Sequence, residues 1–390
     1  MFPDLSYLFH YLFGTAPDNW TSIFKTFGLF LVLAILTAAY ILYKELKRKA
    51  EEGLFKQMES EVITGQGASI GEILSNAFFG FIVGFKGLYA FQNFSEFQAD
   101  PSSIILSLKG HMVGGIVSAL LFGAFRWWEK NRTKLAEPQV QKVQLYPHDL
   151  IGDITILAAI SGLIGAKVFA LVEDLPTFFE DPIGTFFSGS GLAIYGGLIG
   201  GFIGVSIYLR KRKIPIIHVI DAVAPALIIA YGIGRLGCHF SGDGDWGIVN
   251  TMAQPSWWFL PDWLWAFDYP HNVLRETKGV LIEGCEFKYC TKLAEPVFPT
   301  PIYETSMAFI IGAILWSLRK RIVIPGMLFF IYLIFNGTER FFIEKIRVND
   351  KYEVFGIQST QAEFIATILF LIGVIGSIFL WYRHQKASSA

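Results

Sequence analysis

Charged residues are scarce in this chain of 390 amino acids. Asp, Glu, Lys and Arg make up 17% of the sequence, whereas soluble domains carry about 25%. Hydrophobic residues make up 53%, and several apolar runs approach the roughly 20 residues that cross a bilayer. The composition excludes an ordinary soluble domain and predicts a protein with several membrane-spanning helices.

Other absences narrow the function. The net charge of −1 gives no reason to expect a nucleic-acid partner. Three cysteines are too few for a disulfide framework, although Cys285 and Cys290 bracket a loop that could close as one disulfide. No His-x-x-x-His or Cys-x-x-Cys motif occurs, so we expect no metal, and nothing implies an organic cofactor. The first residues lack a basic segment and a cleavage site, so we expect no cleavable signal peptide and an interfacial segment over 1–24.

Nine apolar segments predict membrane-spanning helices. They cover residues 25–43, 73–91, 112–127, 150–171, 192–209, 216–238, 301–318, 323–344 and 362–382. Lys and Arg cluster in every second connection, at 44–56, 126–142, 210–213 and 319–321, and again in the tail. Because these residues accumulate on the cytoplasmic side, the N-terminus is predicted outside and the C-terminus inside. The fold class is therefore an all-α polytopic membrane bundle.

The sequence contains an internal repeat. Residues 70–101 align with 151–182 at a constant offset of 81. The matched positions are Gly84 with Gly165, Lys86 with Lys167, and the Asp-Pro dipeptides at 100–101 and 181–182. Chance similarity between apolar helices is the alternative, but the shared loop dipeptide favours duplication of a two-helix unit.

The repeat suggests a division of the chain into four parts. These are an N-terminal segment with the first span (1–56), an inserted two-span unit (57–149), a core membrane domain with the loop 239–300 (150–382), and a cytoplasmic tail (383–390).

The segment 234–247 combines glycine, charge and one imidazole where span 216–238 ends on the predicted outer side. Arg235 lies between Gly234 and Gly237, which would let a lipid headgroup approach the backbone. An arginine fork binds phosphate through two parallel hydrogen bonds. A snorkelling anchor is the alternative, but an intramembrane charge beside a polar turn favours a phosphate site.

A second arginine ends another span on the same side. Arg340 and Glu344 are four residues apart and share a helix face, as in a plain ion pair. An arginine at the depth of Arg235 also allows a two-arginine anion clamp. Tyr303 and Glu304 begin a span on the same side and are further candidates for the site. Alternatively, Tyr303 belongs to an aromatic belt at the membrane interface, and Glu304 is a charge at the positive N-terminus of a helix.

Other polar groups offer acid–base chemistry. His239, Asp243 and Asp245 lie in the same segment, and a histidine could deprotonate a nucleophile. Cys238 lies at the edge of an apolar helix, so inert burial is favoured over nucleophilic chemistry. The glycines at 196–201 indicate close helix packing or room for an acyl chain.

These segments, in their order along the chain, resemble the prolipoprotein diacylglyceryl transferase family. The matching motifs are Gly-Leu-Ile-Gly-Ala-Lys at 162–167, Tyr-Gly-Gly-Leu-Ile-Gly at 195–200, Asp-Ala-Val-Ala-Pro at 221–225, Gly-Arg-Leu-Gly at 234–237, Pro-Thr-Pro-Ile-Tyr-Glu at 299–304 and Arg-Phe-Phe-Ile-Glu at 340–344. The resemblance covers 25–56 and 150–382, and we recognise no counterpart for 57–149.

The resemblance implies a fold and a reaction. The family has seven spans, which is nine minus the two duplicated ones. Its reaction moves the diacylglyceryl group of phosphatidylglycerol onto the lipobox cysteine of a prolipoprotein signal peptide and releases glycerol phosphate. The implied location is the outer side of the bacterial cytoplasmic (inner) membrane, among membrane lipids.

The resemblance also assigns site residues. The implied catalytic residues are Arg235, Arg340, Glu344 and Tyr303. The implied phosphatidylglycerol-binding residues are Arg235, Arg340, Tyr195, Gly196, Gly197 and Asp243.

Two family positions are changed in this chain. Tyr195 stands where the family often has histidine, and Cys238 stands where it has asparagine. We therefore hypothesise that His239 deprotonates the substrate thiol. A relative that binds lipid or lipoprotein without transfer is one alternative, and a transporter is another. Transporter sites lie near the midplane between repeats, whereas the arginines here are predicted at the outer edge.

Overall fold

The computed structural model is mostly helical and describes residues 1–105, 107–186, 193–274, 279–349, 351–354 and 357–388. Its helices are α1 (Leu5–Phe13), α2 (Thr26–Glu51), α3 (Ile70–Gln92), α4 (Phe94–Ala99), α5 (Pro101–Ile105), α6 (Met112–Arg132), α7 (Ile151–Glu173), α8 (Leu175–Glu180), α9 (Pro182–Phe186), α10 (Ile194–Lys211), α11 (Ile216–Ser241), α12 (Thr300–Leu318), α13 (Met327–Glu344) and α14 (Gln361–Ser388). Each segment predicted to span the membrane coincides with one of these helices.

Six of the described helices are long and apolar enough to cross a membrane, which makes the chain a helical membrane protein. They are α2, α3, α7, α11, α12 and α14. Helices α6, α10 and α13 occupy the other three predicted spans, and residue 192, where the predicted span 192–209 begins, lies outside the described residues. Nine crossings therefore remain a prediction.

Three two-stranded antiparallel ribbons correct the all-α prediction. They pair β1 (Met58–Thr64) with β2 (Gln139–Leu145), β3 (Val280–Leu281) with β4 (Thr291–Lys292), and β5 (Lys351–Val354) with β6 (Ile357–Thr360). In the first ribbon Thr64 lies opposite Gln139, so the two ends of segment 65–138 meet. These strands were missed because an isolated ribbon has no buried face to produce a strong alternating pattern.

Residues 55–213 form one compact unit that contains two helix pairs, α3 with α6 and α7 with α10. The repeat extends to the helix boundaries, since α3, α4 and α5 begin at 70, 94 and 101, and α7, α8 and α9 begin at 151, 175 and 182. Glycines lie at the crossing of each pair. A Cβ on Gly114 would lie 2.7 Å from the carbonyl oxygen of Gly84, and one on Gly196 would lie 2.5 Å from that of Gly165. Small residues therefore let both pairs pack closely.

Residues 1–54 and 214–390 form the second compact unit. Its core lies where α11, α12 and α13 pack together, around Ile228, Ala308, Ile311, Leu315 and Leu328. Helix α2 packs along α11, and α14 packs along α13.

The loop between α11 and α12 folds into a small cap over the end of this bundle. Trp246, Tyr269, Leu293 and Val297 form its core. The N-terminal segment packs onto the cap, because the Tyr289 N–H donates to the hydroxyl of Tyr7 at 2.9 Å. Residues 1–24 are thus partly bound to protein rather than only interfacial. Cys285 and Cys290 form a disulfide in the cap, with their Cα atoms 5.6 Å apart.

Candidate active site

Helix α11 delivers Arg235 to the site. The helix does not end at residue 238 as predicted but continues to Ser241, where Gly242 adopts φ +64° and terminates it. Gly237 does not leave room for a headgroup, because a Cβ there would lie 2.8 Å from the Cβ of Phe30 on α2. Gly234 does face open space, since a Cβ there would meet no described atom within 4 Å.

Arg235 is buried and paired with two carboxylates. It is 8% exposed, its Nε lies 2.8 Å from Glu304 Oε2, and its Nη1 forms an ion pair with Asp245. Its guanidinium also lies over the ring of Tyr231, 5.5 Å from the centroid. A snorkelling anchor keeps its charged head in water. The burial of Arg235 therefore excludes that alternative.

Glu304 is the centre of the cluster. Its side chain is 0% exposed and lies in the second turn of α12, which begins at Thr300 with Pro301 in its first turn. Its Oε1 accepts a hydrogen bond from Arg347 Nη1 at 2.7 Å, and its Oε2 accepts one from the Tyr231 hydroxyl at 2.9 Å. A buried carboxylate is tolerated only when it is paired in this way.

Helix α13 contributes the predicted second arginine. Arg340 Nη2 lies 3.0 Å from Glu344 Oε2, which is the expected pair four residues apart. Arg340 Nη1 also lies 3.7 Å from Glu304 Oε1. Arg235 and Arg340 therefore do converge, but a protein carboxylate occupies the position between them.

Arg347 was missed by sequence reasoning. Its Nη2 lies 2.8 Å from Asp245 Oδ1, and its Nη1 binds Glu304. The chain reaches it just after α13, where Ile248 N–H donates to the carbonyl of Ile346 at 2.9 Å. The spacing of Arg340, Glu344 and Arg347 by four and three residues was the available signal.

The charges in the cluster balance. Partial burial opposes ionisation of Asp245, but Arg235 and Arg347 outweigh it and lower the pKa of this carboxyl to about 2. Burial and the neighbouring Asp245 raise the pKa of Asp243 above its usual range. Asp243 supports the turn, since its Oδ1 accepts from the Asp245 N–H at 3.2 Å. The ion-paired members of the cluster are Arg235, Arg340 and Arg347 with Asp245, Glu304 and Glu344.

His239 and Tyr303 face the cap. His239 is 3% exposed, and its Nδ1 lies 3.2 Å from the hydroxyl of Tyr269. Burial raises the pKa of Tyr269, so that hydroxyl stays protonated. Within the described part of the chain, His239 makes no hydrogen bond to a member of the cluster. Tyr303 donates its hydroxyl to the carbonyl of Leu264 and holds the loop. A catalytic role for either residue stays a prediction.

Tyr195, Gly196 and Gly197 lie on α10 in the other compact unit. A Cβ on Gly197 would lie 3.5 Å from the Cβ of Ala166, and Gly196 packs against the backbone of Gly165. Close helix packing explains both glycines. Lipid binding by these three residues stays a prediction.

Three side chains offer donor atoms for a metal. One ligand atom from each of Cys238, Asp243 and Asp245 lies within 4.8 Å of the other two. The Asp245 carboxylate is already paired with Arg235 and Arg347, whose positive charges oppose a cation at this place. The residues therefore fit a metal ion poorly.

The fold and this cluster define a class of protein: a helical membrane protein whose bundle encloses arginines at the end of its helices. Residues 115–380 match the family model for prolipoprotein diacylglyceryl transferase, and the chain belongs to that family. The match includes the whole cluster. It begins inside the predicted insertion 57–149, within α6.

Similar proteins carry the same description. The chain is similar to proteins named phosphatidylglycerol–prolipoprotein diacylglyceryl transferase from three bacteria. One from Corynebacterium glutamicum is 29% identical over 243 residues, which cover 61% of this chain and 70% of that protein. One from Lactobacillus gasseri is 29% identical over 258 residues, covering 65% and 82%. One from Staphylococcus carnosus is 28% identical over 290 residues, covering 73% and 92%.

Proposed function

We propose that this protein transfers the diacylglyceryl group of phosphatidylglycerol to the cysteine thiol of a prolipoprotein lipobox and releases glycerol phosphate. One observation carries the proposal. Arg235, Arg340 and Arg347 converge on Glu304 inside the region matched to the transferase family. Arginine forks suit a phosphodiester, and a buried site strengthens their hold on it.

The arginines act on the leaving group. The thiol sulfur attacks the carbon of the diacylglyceryl group that is bonded to the phosphate through oxygen, a carbon–sulfur bond forms, and that carbon–oxygen bond breaks. The electron pair of the broken bond goes to the phosphate oxygen, where guanidinium groups stabilise the new charge. For this, the phosphate has to replace a carboxylate partner. Of the three arginines in the cluster, Arg340 has the most exposed side chain, at 20%.

The sequence suggested His239 as one candidate acceptor of the thiol proton. To accept the thiol proton through Nε2, its Nδ1 would have to carry a hydrogen and donate it to Tyr269. Replacing His239 by Gln and measuring lipidation tests this role, and full activity would refute it.

We further propose nine crossings, with the N-terminus outside, the C-terminus inside and the site on the outer side of the bacterial cytoplasmic membrane. The basic connections support this orientation. The disulfide between Cys285 and Cys290 supports it independently, because disulfides persist in oxidising compartments and this one lies in the cap beside the site.

In the decisive experiment, purified protein is incubated with labelled phosphatidylglycerol and a lipobox peptide. The quantity measured is the amount of labelled thioether product. Arg235→Gln should lower the transfer rate by about 100-fold or more, because a preorganised donor to the developing charge is lost. Arg126→Gln is the matched control, since Arg126 pairs with Glu72 on the α3–α6 pair and should leave the rate unchanged.

Two outcomes would contradict the proposal. Binding of the lipid without a thioether product would support a family relative that has lost transfer. Movement of lipid across vesicles without any covalent product would support a transporter.

A further inference from the structure

Glu339 is buried, and its carboxyl group has no hydrogen-bonding partner in the part of the chain that the structure describes. It is 4% exposed, and within the described residues both of its carboxyl oxygens are buried with no hydrogen bond. Buried polar atoms are nearly always hydrogen-bonded, because an unsatisfied group carries its full desolvation penalty. Both oxygens of the Glu339 carboxyl group carry this penalty, so a function has to explain why the residue is there.

Glu339 faces the cluster from α13. It follows Tyr332 and Phe335 by seven and four residues, which places all three on one helix face. Tyr332 and Phe335 pack against the core formed with α11 and α12, so this face points into the bundle. The charged and titratable groups acting on Glu339 are Tyr332 and Arg340 from α13, Tyr231 and Arg235 from α11, Glu304 from α12, and Arg347.

The other carboxylates of the cluster are already paired with arginines. Asp245 binds two arginines and Glu304 binds three through hydrogen bonds or ion pairs, and Glu344 pairs with Arg340. None of these three can take up a proton without breaking a charge pair. Glu339 has no such pair with any described residue, so a proton can reach or leave it while the three arginines stay in place.

We propose that Glu339, rather than His239, accepts the proton of the substrate thiol, an inference that rests on the proposed transferase function. In the step, the S–H bond breaks and the proton moves to a Glu339 oxygen. The sulfur electron pair forms the bond to the glycerol carbon, and the phosphate leaves with the electron pair of the carbon–oxygen bond. The proton then passes from Glu339 to the released glycerol phosphate or to water.

The arrangement suits this task in two ways. A general base works best when it is free to exchange its proton and lies beside the reacting groups. Transfer also neutralises the Glu339 carboxylate in the step in which the departing phosphate gains a negative charge, so the net charge in the bundle does not change.

The test is Glu339→Gln, which keeps the shape and removes the proton acceptor. We expect the transfer rate at saturating lipid to fall on the order of 100-fold, with unchanged binding of phosphatidylglycerol vesicles. The rate of this variant should then rise with pH, because the thiol must ionise unaided, whereas the wild type should reach a plateau. Glu339→Asp should recover part of the rate.

Stability separates catalysis from a structural role. Glu339→Gln removes an unpaired buried acid and should leave the melting temperature unchanged or higher. The matched control is Glu45→Gln, because Glu45 is equally buried but pairs with Arg48 and Arg319. That control should lower the melting temperature and leave the pH profile unchanged.

The outcomes are distinct. A wild-type rate and pH profile in Glu339→Gln would overturn the proposal, and so would a loss of stability together with lipid binding. The same pH signature in His239→Gln, with Glu339→Gln unaffected, would assign the proton to His239. If the wild-type protein forms no thioether, the proposed function fails instead.

Discussion

Glu304 joins three helices through its charge. It is fully buried, it accepts hydrogen bonds from Arg347 and Tyr231, and it pairs with Arg235. Sequence reasoning placed it beside Tyr303 at a helix start but did not select it as a site residue. Its importance comes from arginines that are about 70 and 40 residues away in the chain, and local sequence cannot show such a convergence.

We predict that Glu304→Gln destabilises the protein by about 3–5 kcal/mol, because the variant leaves buried guanidiniums without their shared partner. The midpoint of unfolding in detergent measures this change. Glu52→Gln is the control, since Glu52 is half-exposed in its pair with Arg48 and should cost less than about 1 kcal/mol. Equal effects of the two substitutions would contradict the central position of Glu304.

Asp245 should make stability sensitive to acid. Arg235 and Arg347 overcome the effect of burial and lower its folded-state pKa from an ordinary 3.8 to about 2. A lowered pKa stabilises the folded state above the ordinary value, and this contribution disappears as pH falls through the folded-state value. The loss is therefore expected between about pH 4 and pH 2.

Melting temperatures of the wild type and Asp245→Asn check this expectation. The difference between the two melting temperatures should be constant above about pH 4 and disappear towards pH 2. Asp268→Asn, which removes a partly exposed pair with Lys292, should differ little from the wild type in melting temperature at every pH. A difference for Asp245→Asn that does not change with pH would refute the prediction.

At the scale of elements, the turn after α11 is held against the end of α13. Gly247 bridges to Arg347, and its N–H donates to the carbonyl of Phe298 at 2.9 Å. A Cβ on Gly247 would lie 2.5 Å from the carbonyl oxygen of Ile346 and 2.8 Å from the Cβ of Phe298. Only glycine lets this turn approach closely enough for Asp245 to reach Arg347.

Gly247→Ala should therefore push the turn outwards and weaken the ion pair between Asp245 and Arg347. We expect a lower melting temperature and a smaller acid-dependent change than in the wild type. Gly152→Ala is the control, because a Cβ on Gly152 in α7 would meet no described atom within 4 Å. That variant should be neutral or slightly stabilising, since alanine favours helix more than glycine does. A wild-type acid response in Gly247→Ala would contradict this account.

At the scale of the whole molecule, the α3–α6 pair begins and ends at one place. The ribbon of β1 and β2 closes its base, with Thr64 opposite Gln139. Segments whose ends meet in this way can be inserted or removed with little strain. The ion-paired cluster lies entirely in the other compact unit.

We predict that a chain in which residues 65–138 are replaced by an Asn-Gly turn still folds, because such a turn connects antiparallel strands directly. A single species on gel filtration and the acid response that depends on Asp245 would show that the cluster is intact. A deletion that cuts instead at 70–145, across the ribbon, is the control and should fold less well. If the variant without residues 65–138 lost the acid response, the ion-paired cluster would depend on the α3–α6 pair, and the prediction would be wrong.

The sequence alone determined the class of the protein and the positions of its long apolar helices. Length and apolarity make a segment helical in a membrane because every backbone hydrogen bond must be satisfied within it, and that requirement is local. The motifs containing Arg235, Arg340 and Glu344 were found for the same reason, since they are contiguous stretches of chain.

Only the tertiary structure decided how these groups meet. It placed Glu304 between the arginines, added Arg347, turned His239 towards the aromatic cap and left Glu339 unpaired. Each of these facts depends on which faces of α11, α12 and α13 pack together. Burial and pairing of a charge are properties of that packing, because they depend on distances between residues far apart in the chain.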